Sequence, residues 1–149
     1  MIENNFFGTE MAAILVPVES GYWYESGSAL DLTIRNNIFQ DCNIGGQNRG
    51  IIRFETDDES KNIAFKNILI ENNKINQFDN LIMEVNNTDG LTFKGNTITN
   101  SGTYKMLFPE NAAFSVKTSK NIIFKKNTYL GKANPILKTD GSVPNLKFK

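Results

Sequence analysis

The sequence predicts an all-β chain wound as a right-handed parallel β-helix of about five coils. Three observations carry this. Five segments share one pattern, an apolar residue, a charge, any residue, an asparagine, any residue, then an apolar or aromatic side chain. Between them lie short runs rich in Ile, Val, Phe and Thr that alternate apolar and polar, the mark of strands. A helical repeat of this size would instead show a 3.6-residue period with few Asn or Gly. A unit of 23 to 36 residues built from short strands is a solenoid, in which stacked coils bury what one coil cannot.

The five segments begin at Ile2, Ile34, Ile70, Phe93 and Phe124, and their asparagines are Asn5, Asn37, Asn73, Asn96 and Asn127. Asparagine suits a corner, because it tolerates the left-handed backbone region and its amide bonds locally. Stacked corner asparagines can also bond to one another as a ladder. Nine residues after Asn5, Asn73 and Asn127 come Ile14, Ile82 and Ile136, which are expected to form an inward column. After Asn37 and Asn96 the matching Ile52 and Phe114 arrive later, so those two loops carry insertions. A third apolar run, LDLTI, NILI, GLTF or NIIF, leads into the next corner. In LDLTI, Leu30, Leu32 and Ile34 are expected to alternate inward. Ile34, Phe93 and Phe124 are expected to share a column.

Residues 1–149 read as one domain. Sixteen basic and sixteen acidic residues cancel, which argues against a nucleic-acid partner. No stretch approaches 18 apolar residues, so no membrane-spanning helix is expected. The start, MIENNFF, has no basic region ahead of an apolar run, so the compartment is left open. There is no histidine, which removes Ser-His-Asp and Cys-His catalysis and His-ligated zinc. The lone Cys42 reads as a small buried hydrophobe. Both ends cut the repeat, at Met1-Ile2 and at Leu146-Phe148, without a cap helix. The expectation is a piece of a longer solenoid that forms a homodimer through an open solenoid end.

In a solenoid, function lies on outward side chains and loops. The segment Tyr22-Trp23-Tyr24-Glu25 holds the only tryptophan, with Glu19 and Asp31 flanking it. Aromatic faces bind sugar rings, and a carboxylate beside them bonds hydroxyls or transfers a proton. Asp57-Asp58-Glu59 lacks the alternating ligand spacing of a calcium loop and reads as a solvated loop. Asp79 and Glu84 lie near a strand run. Arg49 and Arg53 suit a clamp on a carboxylate or sugar hydroxyl, or pairing with acids on adjacent coils. Two carboxylates suffice for glycosidic cleavage without histidine, metal or cofactor.

The run IENNFF…AILV…WYESG…LDLTIRNNIF, followed by NILIENNKINQFDNLIMEVNNTDGLTFKGNTI, resembles the later β-helix coils of the bacterial α-1,3-galactosidases of glycoside hydrolase family 110. The resemblance covers most of residues 2 to 129. It implies removal of terminal α-1,3-linked galactose by a metal-independent inverting mechanism, in long, exported enzymes. It also implies an aspartate pair in earlier coils that has no matching segment here, so the isolated chain is expected to be inactive. The partner it implies is a glycan with terminal α-linked galactose. Glu25 carries over as the catalytic contributor, with Tyr22, Trp23 and Tyr24 beside it and Arg53 as a further substrate-binding candidate.

Overall fold

The computed structural model describes residues 1–18, 27–56 and 62–148. The first coil contributes Ile2–Glu3 (β1), Phe6–Phe7 (β2) and Ile14–Val18 (β3). The second contributes Ala29–Leu30 (β4), Thr33–Arg35 (β5), Ile38–Gln40 (β6) and Ile52–Thr56 (β7). The third follows with Phe65–Glu71 (β8), Lys74–Gln77 (β9) and Met83–Asn86 (β10), and the fourth with Thr88–Lys94 (β11), Thr97–Asn100 (β12) and Phe114–Lys117 (β13). The fifth holds Lys120–Lys125 (β14), Thr128–Leu130 (β15) and Leu137–Thr139 (β16), and Lys147–Phe148 (β17) starts another turn.

Every strand pairs in parallel with its counterparts one coil away, giving three sheets. Sheet one is β1-β5-β8-β11-β14-β17, with β4 also on β8; sheet two is β2-β6-β9-β12-β15; sheet three is β3-β7-β10-β13-β16. The chain visits them in that order in each coil. This is the right-handed parallel β-helix of about five coils that the repeat predicts. Its core is one continuous cluster running through all the coils.

The inward columns follow the register. On sheet one Ile34, Ile70, Phe93, Phe124 and Phe148 stack in line. The expected column of Ile34, Phe93 and Phe124 is therefore present. Phe93, Phe114 and Phe124 meet across the interior, with ring centroids 4.9 to 5.6 Å apart. On sheet three the expected match of Ile14 with Ile52 and Phe114 holds, but Ile82 and Ile136 each stand one residue away from that column. Ile14 stacks with Ile52, Met83, Phe114 and Leu137. Ile82 stands instead in line with Ile51, Ala113 and Ile136, one residue earlier.

The reason is a kink at the start of three sheet-three strands, β3, β7 and β10. One carbonyl accepts from two consecutive N–H groups of the neighbouring coil: Ile51 O from Ala13 and Ile14, Ile82 O from Ile51 and Ile52, Ala113 O from Ile82 and Met83. This bulge-like contact turns both consecutive side chains inward. Ile51 and Ile52 are both fully buried, as are Ile82 and Met83 to within 1%.

Sheet one has a second kink, which corrects the reading of LDLTI. Asp31, Asn67, Gly90, Asn121 and Asn145 stand in register and all have positive φ, from 56° to 84°. Alternation restarts at each of them. So Ala29 packs against the core while Leu30 is 57% exposed. The amides rungs here are Asn67 Nδ2 to Asp31 Oδ1 at 3.0 Å, Asn121 Nδ2 to Asp89 Oδ1 at 2.7 Å and Asn145 Nδ2 to Asn121 Oδ1 at 3.0 Å. The Asn121 amide, with Lys120 nearby, holds the Asp89 carboxyl below its ordinary pKa.

The asparagine ladder forms as expected. Each Oδ1 accepts from the backbone N–H and the side-chain amide of the asparagine one coil earlier: Asn37 from Asn5, Asn73 from Asn37, Asn96 from Asn73 and Asn127 from Asn96, at 2.9 to 3.2 Å. The left-handed residue, however, is the one before each ladder asparagine: Asn4, Asn36, Asn72, Gly95 and Lys126 have φ of 55° to 62°. The ladder asparagines are the hydrogen-bonding half of the corner and their predecessors are the conformational half. Cys42 is fully buried, and desolvation pushes its thiol pKa up.

Candidate functional site

Two of the sequence's candidate segments, Tyr22-Trp23-Tyr24-Glu25 and Asp57-Asp58-Glu59, lie outside the described residues, as does Glu19. Their points of departure are described. Val18 and Thr56 are the last described residues before the two segments, and they are register partners on β3 and β7. The chain enters both segments from neighbouring strands at the same edge of sheet three.

The outer face of sheet three leads to that edge. Because Ile52 and Phe54 point inward, Arg53 and Glu55 point out. The register sets Leu15, Arg53, Glu84, Ser115 and Lys138 in one outward row. Arg53 is nevertheless only 6% exposed. Its Nη2 donates to Glu55 Oε2 at 2.6 Å and its Nη1 to Gln47 Oε1 at 3.3 Å. Arg49 joins the same Glu55 oxygen at 2.7 Å. Arg53 Nε stands 3.9 Å from Glu84 Oε2 and is buried without a hydrogen-bond partner among the described residues. The two arginines singled out from the sequence are thus brought together, chiefly by a glutamate on Arg53's own strand.

Glu84 is held from a second side. Its Oε2 accepts the Gly50 N–H at 2.9 Å. Gly50 suits this approach: a Cβ at this position would lie 3.0 to 3.1 Å from the backbone of Met83 and Glu84, a tight contact that would push the 41–51 loop out by a few tenths of an ångström. A depression of about 140 Å³ opens beside Glu84, lined by the polar Asn48, Asn111, Ser115, Lys117 and Lys138 and by the apolar Leu81 and Ala112. The fixed carboxylate and two lysines without a partner among the described residues make this face able to bind hydroxyls and an anion.

Asp79, by contrast, is structural. Its carboxylate accepts the backbone N–H groups of Asn80, Leu107 and Phe108, tying the 101–113 loop to the third coil. Sequence reasoning missed Gln47 and Glu55 as the partners of Arg53, and it missed Ser115, Lys117 and Lys138. The signal was available in the outward positions of GIIRFE, AAFSVK and PILK, but only the last of these, with NLIMEV, was read one residue out of register.

No family model matches the chain. Comparison with curated proteins does find relatives. α-1,3-Galactosidase B of Bacteroides thetaiotaomicron is 31% identical over 137 residues, 88% of this chain and 22% of its own length. α-1,3-Galactosidase A of Bacteroides fragilis is 30% identical over 136 residues, with the same two shares. The chain is similar to part of the bacterial α-1,3-galactosidases. The enzyme of that name from Shewanella woodyi adds 29% identity over 132 residues, again 88% of this chain and 22% of its own. This chain spans about a fifth of the length of the curated relatives it matches. The family resemblance read from the asparagine corners and the WYESG segment therefore holds across most of the chain, from three separate bacteria.

Proposed function

We propose that this chain is a carbohydrate-active β-helix segment that contributes a glycan-binding wall for terminal α-1,3-linked galactose. The observation that supports it is the alignment to named α-1,3-galactosidases over 88% of the chain, on a solenoid fold. In this reading Trp23, with Tyr22 and Tyr24, offers apolar faces to the galactose ring. Glu25 contributes a carboxylate to an inverting hydrolysis, a mechanism that needs two carboxyl groups on opposite sides of the scissile bond. Arg53 is the further substrate-binding candidate of this reading, held in place by Glu55 and Gln47 on the same face. Homodimerisation through a solenoid end belongs to the same proposal, and light scattering at micromolar concentration tests it.

The test is a calorimetric titration of the chain with an α-1,3-galactosyl disaccharide. Trp23→Ala is expected to weaken binding while leaving the far-ultraviolet circular dichroism unchanged. Equal affinity of variant and parent removes the aromatic segment from the reading. The chain alone is expected to release no galactose. Turnover that disappears in Glu25→Gln would make it a complete catalyst instead.

A further inference from the structure

The outer faces of sheets one and three handle charge differently. On sheet one, ion pairs join successive coils: Arg35 to Glu3 at 2.6 Å, Lys94 to Glu71 at 2.9 Å and Lys120 to Asp89 at 3.3 Å. On sheet three, Lys117 and Lys138 flank the depression beside Glu84, and neither ammonium group has a partner among the described residues. Glu84 does not neutralise them, because its Oε2 already faces the Gly50 N–H and the Arg53 guanidinium.

The rest of the lining offers both signs of hydrogen bond. Asn111 Nδ2 donates to Asn48 Oδ1 at 2.7 Å, which leaves Asn111 Oδ1 as an acceptor and Asn48 Nδ2 as a donor at the rim. Ser115 supplies a hydroxyl between Glu84 and Lys138 in the outward row. These groups come from four coils and two separate loops.

We propose that this depression binds an acidic sugar, a hexuronate whose carboxylate meets Lys117 and Lys138 and whose hydroxyls donate to Glu84 and Asn111. The two halves of the lining select for it jointly. A neutral sugar leaves both lysines unused. A bare inorganic anion reaches the lysines but brings no hydroxyl to the acceptors of Glu84 and Asn111. A ligand with hydroxyls at one side and an acid at the other satisfies both. The volume of about 140 Å³ matches part of one ring, so the site grips a single residue of a glycan. Charge-assisted bonds to exposed lysines are screened by salt, so the affinity falls as ionic strength rises.

This site is separate from the galactose reading and is tested with different ligands. The chain labelled with nitrogen-15 is titrated in turn with galacturonate, galactose and sodium sulfate, following the amide signals of Ser115, Lys117 and Lys138. Galacturonate is expected to shift them saturably, and galactose and sulfate are not. In the double variant Lys117→Ala/Lys138→Ala, both exposed positions, galacturonate affinity is expected to fall by about tenfold with unchanged circular dichroism. Glu84→Gln, which keeps an acceptor for Gly50, is expected to weaken galacturonate. An equal response to galactose overturns the proposal, as does an equal response to sulfate in the parent chain. Unchanged galacturonate affinity in the lysine variant overturns it too. Failure of Trp23→Ala to affect the α-1,3-galactosyl disaccharide would leave these results untouched.

Discussion

Two edges of the helix obey opposite rules. Between sheets one and two the chain always turns in two residues: 4–5, 36–37, 72–73, 95–96 and 126–127. Between sheets two and three it takes residues 8–13, 41–51, 78–82, 101–113 and 131–136. The first edge is fixed because its turn is solved once and repeated. A left-handed residue reverses the chain, and the next asparagine locks each coil to the following one. The second edge has no such ladder, so its loops vary in length and meet one another. Because the third coil turns short there, the long loops of the second and fourth coils bridge over it. Ser101 Oγ donates to Asp41 Oδ1 at 2.6 Å, and Asn111 reaches Asn48. The depression and the buried Arg53 are products of that bridging. The constant edge builds the solenoid, and the variable edge builds the site.

Breaking the constant edge should cost most. In Asn73→Ala, the N–H and side-chain amide of Asn37 lose their acceptor, and Ile34 O and Asn96 Oδ1 lose a donor. With Asn37 and Asn73 each 1% exposed, no water replaces them. A loss of about 2–4 kcal/mol is expected, read by urea denaturation. The exposed end of the same ladder provides the control: Asn5→Ala should cost well under half as much.

Gly50→Ala attacks the point where the variable edge touches the sheet. Its Cβ would press on the backbone of Met83 and Glu84, which side-chain motion cannot relieve. About 1–3 kcal/mol is expected. The same variant should disturb the Glu84 amide in nuclear magnetic resonance spectra, because the Gly50 N–H to Glu84 bond lengthens.

Lys126 sharpens the comparison in the other direction. It takes the left-handed position that three other coils give to asparagine, with φ of 55°. Lys126→Asn should stabilise the chain by roughly 0.5–1 kcal/mol, seen as a raised melting temperature. A loss of stability would mean that the corner depends on something beyond backbone conformation.

Asn111→Ala is the mildest. It removes one exposed bond between the bridging loops, and about 0.5 kcal/mol or less is expected. Its informative readout is faster hydrogen exchange in residues 101–113 with the sheets unchanged. Equal acceleration throughout the solenoid would show that the two edges are not independent.

The sequence displays the constant edge plainly. Asn5, Asn37, Asn73, Asn96 and Asn127 recur in a fixed local context, because a two-residue corner tolerates few side chains. The three-strand unit and the inward column through Phe93 and Phe124 follow from the same repetition, whereas the burial of Cys42 followed from its being a lone, small, apolar side chain. The left-handed role was misassigned by one residue, because in three coils two asparagines are adjacent and the letters alone do not say which bonds and which bends. Leu30 and Ile82 were misplaced for a related reason. Alternation assumes an unbroken strand, and the kinks at Asp31 and ahead of Ile14 reset its phase.

What could be read from the residues, then, was local and periodic: strands, corners, the direction of winding and the similarity to part of the α-1,3-galactosidases. Tertiary structure alone decided which outward side chains became neighbours. Arg53, Glu84, Ser115 and Lys138 are 31, 31 and 23 residues apart along the chain, yet they stand in one row. Their spacing depends on loop lengths and on a shared register that no single segment encodes. Whether an outward arginine is exposed depended on the loop carrying Gln47 and Arg49, and that loop is placed by contacts one and two coils away.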